Sequence, residues 1–130
     1  MRRHCLGDLD VVLVDAGDVA KLLQIIDRGD GLTKGSRDAI LTILRKAKSS
    51  ALREGVPSAV AVANKPGGLE GVATDAGIVY LAGRPYIFVA TTTYLKSGAA
   101  GQAAIRAASQ AAFDYFNRIA RSSDYGRVIR

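Results

Sequence analysis

The residues of this chain whose types and order could do chemistry are Lys65, Pro66, Gly67 and Gly68, which follow a strand-like run. The lysine offers a positive charge that can attract an anionic group. Lysine, proline and glycine in this order are also common in turns, so Lys65 either lines a cleft or is an exposed structural lysine. The significance of the group depends on the elements that hold it.

Three strand-like runs surround this group: residues 58–64 before it, then residues 75–81 and residues 86–93. Gly67 and Gly68 mark the first connection, and the run Ala82-Gly83-Arg84-Pro85 marks the second. Short connections favour antiparallel neighbours. The sequence therefore predicts a three-stranded antiparallel meander in the order 86–93, 75–81, 58–64.

Helical periodicity precedes and follows the meander. Asp15 and Asp18 have capping-box spacing, and the helix they begin ends near Gly29. A second helix begins near Ser36, and a long one covers residues 98–121. The helical repeat predicts the inward-facing residues Val19, Leu22, Leu23 and Ile26; Ile40, Ile43, Leu44 and Ala47; and Ile105, Ala108, Ala112, Phe116 and Ile119.

The predicted fold class is α/β of the α+β type: two helices, the antiparallel meander and a long C-terminal helix, in one domain or part-domain. Its segments are residues 1–14, unassigned; 15–57, helical; 58–95, the meander; 98–121, the helix; and 122–130, a tail. Four alanines make the last helix slim enough to lie close on the sheet: Ala104, Ala108, Ala111 and Ala112.

Composition excludes several classes of function. No apolar run reaches the roughly 20 residues that a membrane span needs. Cys5 and His4 cannot form the four-ligand set of a structural zinc site, and we predict no metal and no cofactor. The net charge of +6 does not cluster on one segment, and no aromatic residues interleave with the basic ones, so nucleic-acid binding is a minor hypothesis.

The order and spacing of three motifs resemble the C-terminal part of the class A serine β-lactamase and penicillin-binding protein family. The motifs are Lys65-Pro66-Gly67, the run Asp75-Ala-Gly-Ile-Val-Tyr-Leu81 and the turn Arg84-Pro85-Tyr86. In that family a strand ends in Lys-Thr-Gly, and a strand opened by Asp-Ala-Gly-Ile-Val-Tyr follows. The resemblance covers residues 15–121.

The resemblance implies a role for each residue of the group. Lys65 would be the catalytic cation, Gly67 would let substrate lie against the strand, and the Gly68 N–H would be half of an oxyanion hole. Pro66 departs from the family because it lacks the threonine hydroxyl that binds the substrate carboxylate. These four residues are the predicted site, for a small acyl or β-lactam ligand.

The nucleophile of that family is missing from this sequence. Its Ser-x-x-Lys motif begins a helix, where the lysine activates the serine. No serine here is followed three residues later by lysine. Thr93 and Lys96 have that spacing, but they end a strand-like run and we attribute the match to chance.

Two functions of different class follow. The chain is either the C-terminal portion of a serine hydrolase, inactive alone, or a degenerate non-catalytic module that binds a ligand or a protein. In the family, strands from the N-terminal part pair beside the strand that matches residues 86–93. An unpaired strand edge is a liability, so this edge should pair with a complementary chain carrying those strands and Ser-x-x-Lys, with a second copy of this chain, or with residues 1–14.

The compartment is not predicted. Members of the resembled family are usually periplasmic or secreted, whereas the apolar residues 11–14 are too few for the hydrophobic segment of a signal peptide and lie among acidic residues.

Overall fold

The computed structural model describes residues 2–6, 9–47 and 49–122 of the chain. Its elements follow in the order β1 Arg2–Leu6, β2 Leu9–Leu13, α1 Ala16–Arg28, α2 Lys34–Arg45, α3 Ala51–Glu54, β3 Val62–Leu69, β4 Val72–Val79, β5 Tyr86–Thr92 and α4 Gly98–Ser122. The α+β class, with an antiparallel meander between helices, is confirmed.

The central sheet has the predicted order, with β4 between β3 and β5. The strand bounds differ from the prediction, because β3 begins at Val62 and continues to Leu69. Lys65 to Gly68 therefore lie within the strand, and the hairpin turn consists of Glu70 and Gly71. Gly71 has a φ of 72°, a left-handed conformation that glycine adopts without a steric cost.

Helices cover both faces of this sheet. Alternation along the strands puts Ala63 and Ile78 on one face, where they pack with Leu23 of α1 and Leu41 of α2. Val62, Val79 and Tyr86 lie on the other face, with Leu52 of α3 and Phe113 of α4. α2 packs over β3 and α1 over β5, whereas α4 packs over β4 and β5.

The first two helices start at side-chain caps. Asp15 and Asp18 form the predicted capping box, and Gly29 ends α1 with a φ of 80°. Thr33 caps α2, which begins at Lys34, slightly before the predicted start. The short helix α3 was not predicted, because four residues carry too little periodicity to be recognised.

Several predicted inward positions are wrong. Leu22 and Ile43 are exposed, and Leu41 is the buried residue of α2. On α4, Ala104, Ala108 and Ala111 are exposed, whereas Gly101, Ile105, Ser109 and Phe113 are buried. Leu23 and Ile105 are confirmed as buried; the other inward residues are half-buried: Val19, Ile26, Ile40, Leu44, Ala47, Ala112, Phe116 and Ile119.

The close approach of α4 to the sheet is made by a glycine and not by the alanines. A Cβ atom on Gly101 would lie 2.9 Å from the Cβ atom of Ala73 in β4. Such a separation is too short for two carbon atoms. Gly101 therefore determines which side of α4 faces the sheet, and the alanine stripe is turned away from it.

Residues 2–6 and 9–13 form a two-stranded antiparallel sheet of their own. Of the alternatives predicted for the edge of the strand 86–93, pairing with residues 1–14 is therefore wrong for the described part of that segment. The two strands are neighbours in sequence, so pairing with each other closes a much shorter loop than pairing with β5. Residues 1, 7 and 8 and the predicted tail beyond Ser122 lie outside the described residues.

Candidate functional site

The four predicted site residues occupy the outer half of an edge strand. Among the described residues, β3 pairs with a strand on one side only, with β4. The N–H of Tyr80 donates to the carbonyl of Ala61 at 2.9 Å. Backbone groups in antiparallel strands point alternately toward and away from the partner strand. Residues 61, 63, 65 and 67 consequently face β4, and residues 62, 64, 66 and 68 face the outer edge.

This alternation explains why proline is accommodated at position 66. Pro66 has no N–H, and its nitrogen faces the outer edge, where no hydrogen bond to β4 would form. The same alternation directs the N–H of Gly68 outward. Gly68 thus offers an N–H donor at the outer edge, whereas Pro66, two residues before it on the same edge, has no N–H.

Lys65 is exposed and lies on an edge strand of the described sheet. Its Nζ atom donates a hydrogen bond to the carbonyl oxygen of Pro66, one of the outward-facing carbonyls. The ammonium group therefore lies near the outer edge, on the same side of β3 as the Gly68 N–H. A cation and a backbone donor at one strand edge can together bind an anionic oxygen.

Gly67 has a reason to be glycine that involves no ligand. A Cβ atom at this position would lie 2.7 Å from Oγ1 of Thr74, its partner in β4. At Gly68 the nearest atom to such a Cβ would be the carbonyl oxygen of Val72, at 3.5 Å. The missing side chain at position 67 is thus required by cross-strand packing, whereas Gly68 has room for a methyl group.

A buried polar network lies directly before Lys65. Nδ2 of Asn64 donates to Oγ of Ser50 and to Oδ1 of Asp75, both at 2.8 Å. Oδ2 of Asp75 accepts from the N–H of Leu52 at 3.0 Å. Asn64 and Asp75 are 1% exposed, so these bonds replace the water that both groups lose.

The network joins the edge strand to α3. Ser50 caps that helix, and the carbonyl of Leu52 accepts from Oγ of Ser109 in α4 at 2.8 Å. The four-residue helix is therefore held at its first turn by β4 and at its carbonyl side by α4. A helix this short does not form by itself in water, so these contacts explain its presence.

The sequence predicted the strand but did not identify this network. Asp75 lies within β4 and accepts a hydrogen bond from the N-terminus of α3. The available signal for this network was the presence of two polar residues, Asn64 and Asp75, within otherwise apolar strand-like runs. Its partner residues could not be identified before the strand register was known.

Three surface clefts lie elsewhere on the described part of the chain. One is bounded by Arg53, Val60 and Val62, a second by Arg37, Arg45 and Tyr80, and a third by residues near the end of α4. In the second, burial and the nearby Asp27 raise the pKa of the Tyr80 hydroxyl, which donates to Asp27 at 3.3 Å. Among the residues described, no cluster of three His, Cys, Asp or Glu side chains could hold a metal ion.

Comparison with known proteins connects this architecture to one family. Residues 10–116 match the family described as "Beta-lactamase enzyme family". No curated protein matches the chain. Among solved structures it is similar to PBP-A, with 28% sequence identity and a TM-score of 0.73 over 78% of this chain and 39% of that one.

Two bacterial enzymes give similar values. The β-lactamase of Sphaerobacter thermophilus DSM 20745 is 25% identical, with a TM-score of 0.70 over 78% of this chain and 40% of that one. A class A β-lactamase from Bacteroides cellulosilyticus DSM 14838 is 26% identical, with a TM-score of 0.66 over 79% and 41%. The chain thus spans about two fifths of the length of these proteins.

Proposed function

Because the chain belongs to the beta-lactamase enzyme family, we propose that it supplies the Lys-x-Gly strand of a serine hydrolase that acts on β-lactams or related acyl compounds. A complementary chain would supply the Ser-x-x-Lys nucleophile. The observation that carries this proposal is the outer edge of β3, where the Lys65 cation and the Gly68 N–H lie on one side. A variant of the similar protein PBP-A was solved as an acyl-enzyme complex with penicillin G.

In this mechanism Lys65 provides positive charge beside the bound ligand, and Gly68 N–H donates to the oxygen that becomes negative in the acyl-transfer transition state. A fixed donor of this kind is worth about 2.7–4 kcal/mol. Neither group can attack a carbonyl carbon. The chain alone should therefore not turn over substrate, and a serine from elsewhere must form and then release the acyl bond.

The outer edge of β5 is the proposed docking surface for the complementary chain. The described sheet ends at β5, and the alternation deduced for β3 and β4 directs the backbone groups of Ile87, Val89 and Thr91 outward. Such a row of unpaired N–H and C=O groups can bind an added strand.

Apolar side chains flank this edge on one face of the sheet. Asp27 of α1 is ion-paired to Arg37 of α2 at 3.8 Å, so that side of α1 faces α2. Leu22 and Ile25 lie about 140° and 160° around the helix from Asp27. They are 55% and 43% exposed, and both lie on the side of α1 away from α2, the helix that packs over β3.

A second apolar flank lies on the opposite face. Arg106 of α4 is ion-paired to Glu54 of α3 at 3.1 Å, which identifies the side of α4 facing α3. The exposed residues about 140–180° away from Arg106 are Ala104, Ala108, Ala111 and Tyr115. A strand added to β5 would thus be covered by apolar surface on both faces, as a strand within a protein interior is.

The experiment mixes this chain with a polypeptide comprising the part of PBP-A that this chain does not match. The readouts are covalent labelling by a fluorescent penicillin and hydrolysis of nitrocefin. We expect neither with this chain alone, and labelling of the partner's serine once the two chains associate. Lys65→Ala should lower hydrolysis at least about 100-fold, whereas Pro66→Thr should raise turnover of carboxylate-bearing substrates by restoring a hydroxyl.

Matched variants test the docking surface. Leu22→Lys with Ile25→Lys should abolish association, because two charges would lie against the added strand. Ile43→Lys is the control, since Ile43 is 65% exposed on α2, over β3. Steady nitrocefin turnover by the chain alone, or association that is unaffected by the double variant, would refute the proposal.

One observation favours the alternative of a non-catalytic binding module. Pro66 lacks the hydroxyl that the family uses to bind the substrate carboxylate. Under this alternative the edge of β5 would be closed by a second copy of the chain. A homodimer in analytical ultracentrifugation that does not exchange with the PBP-A portion supports it.

A further inference from the structure

Arg53 of α3 reaches the outer edge of β3 just before the candidate site. Its Nη2 atom donates to the carbonyl of Val62 at 2.6 Å, and its Nε atom donates to Oδ1 of Asn64 at 2.7 Å. Val62 and Asn64 both have outward-facing backbone groups by the alternation described above. The guanidinium thus occupies the place beside β3 where another strand would otherwise pair.

The same guanidinium ties this edge to the end of α2. Nη2 also donates to the carbonyls of Arg45 and Leu44, at 3.1 and 3.3 Å. These carbonyls belong to the last turn of α2, where the helix leaves its acceptors unsatisfied and carries partial negative charge. A single cation therefore links the C-terminus of α2 to the start of β3.

Asn64 carries this link to the residue before Lys65. Its amide oxygen accepts from Arg53, and its nitrogen donates to Ser50 and Asp75. Every hydrogen-bonding site that points into the protein is therefore occupied, and the amide has one permitted orientation. Gly77 lies directly opposite, and a Cβ there would lie 2.7 Å from the carbonyl of Ala63, so the backbones of β3 and β4 approach closely at this point.

We infer that Arg53 is a positioning residue for the segment from Lys65 to Gly68. It holds the first half of the β3 edge through Val62 and Asn64, and it leaves the second half open for a ligand. The direction of the Lys65 ammonium group and of the Gly68 N–H is set by the strand that Arg53 fixes. The effect of Arg53 on catalysis rests on the proposed function. Its effect on the position of the strand does not, because that position is a property of the chain itself.

Arg53→Lys tests the inference, because lysine keeps the charge but cannot bind Val62, Asn64 and the end of α2 together. The measurement is amide hydrogen exchange of Gly67, whose N–H faces β4, and of Phe88 in β5, whose N–H also faces β4. We expect exchange at Gly67 to increase about tenfold or more and exchange at Phe88 to stay unchanged. Arg106→Lys is the matched control, because Arg106 is a half-exposed arginine that binds the same helix through Glu54.

The outcomes separate positioning from general stability. If Arg53 only stabilises the fold, the variant opens the molecule globally and both amides exchange faster by the same factor, which would overturn the inference. Unchanged exchange at both amides would also overturn it. In the assembly with the PBP-A portion, Arg53→Lys should lower kcat more than it raises KM. Absence of activity in that assembly would count against the proposed function, and the hydrogen-exchange result would still decide whether Arg53 positions the strand.

Discussion

Replacing Asp75 with Asn should destabilise the chain although the side chain keeps its size. One carboxylate oxygen accepts from the N–H of Leu52 at 3.0 Å, and the other accepts from Nδ2 of Asn64 at 2.8 Å. An amide has a single oxygen, so its NH2 group would face one of these two donors. Asn64 cannot rotate its own amide in compensation, because its oxygen accepts from Arg53.

The size of the effect follows from this geometry. The change removes one hydrogen bond to a charged acceptor, worth about 1.5–3 kcal/mol, and leaves a buried donor unsatisfied, at about 1–3 kcal/mol. Relief from burying the carboxylate of Asp75 offsets part of the loss. We expect the free energy of unfolding to fall by about 3 kcal/mol, which for a domain of this size lowers Tm by about 10 °C.

Exchanging the two side chains should restore the network. With Asp75→Asn and Asn64→Asp together, the carboxylate at position 64 accepts from Arg53 and from the amide at position 75. The oxygen of that amide then accepts from Leu52 N–H. The exchanged variant should therefore regain at least about 2 kcal/mol of the free energy of unfolding that the single variant loses. Urea unfolding monitored by circular dichroism measures this recovery, whose size is typical of residues in direct contact.

A control and a refuting result complete this test. Asp38→Asn removes an exposed carboxylate that is paired with Arg37 at 3.3 Å, and it should change stability by less than about 1 kcal/mol. The reasoning is wrong if Asp75→Asn unfolds at the same urea concentration as the native chain. It is also wrong if the exchanged variant is no more stable than the single one.

Two further predictions concern single buried contacts. Burial raises the pKa of Tyr86 to about 12, so the chain should lose stability as the pH rises from 10 toward 12. In unfolding curves at alkaline pH, Tyr86→Phe should lessen that loss, and it should not reduce stability at pH 7. A full loss in the variant would exclude Tyr86 as its source. Gly67→Ala should lower the free energy of unfolding by about 1–3 kcal/mol through its contact with Thr74. Adding Thr74→Ala should restore the stability of that variant, and Gly68→Ala should be tolerated. Equal losses of stability at both glycines would contradict the packing described.

The meander was recognisable from the sequence because its signals are local. Alternating β-branched and small residues, interrupted by glycine, indicate strands, and short connections leave few topologies open. The turn was misplaced because Gly67 and Gly68 gave a stronger turn signal than Glu70 and Gly71. Only pairing with β4 decided which glycine adopts positive φ, and that residue is Gly71.

The candidate site was predictable in part for the same reason. Lys65 and Gly68 could be proposed from their order along the chain and from the resemblance to a family. The positions of Arg53, Asn64 and Asp75 around them could not, because these residues lie on three different elements. Their hydrogen bonds span 11 to 23 positions in sequence, for which neither periodicity nor a motif provides a signal.

The sequence by itself determined the types and order of the main elements and the family, because these depend on patterns among neighbouring residues. The tertiary structure alone decided which faces are buried. Leu41 is buried instead of the predicted Ile43, and Gly101 instead of the predicted alanines makes the close contact with the sheet. The reason is that burial depends on the surface against which each helix packs. It also created α3, whose four residues are helical because β4 and α4 bind their backbone from both sides.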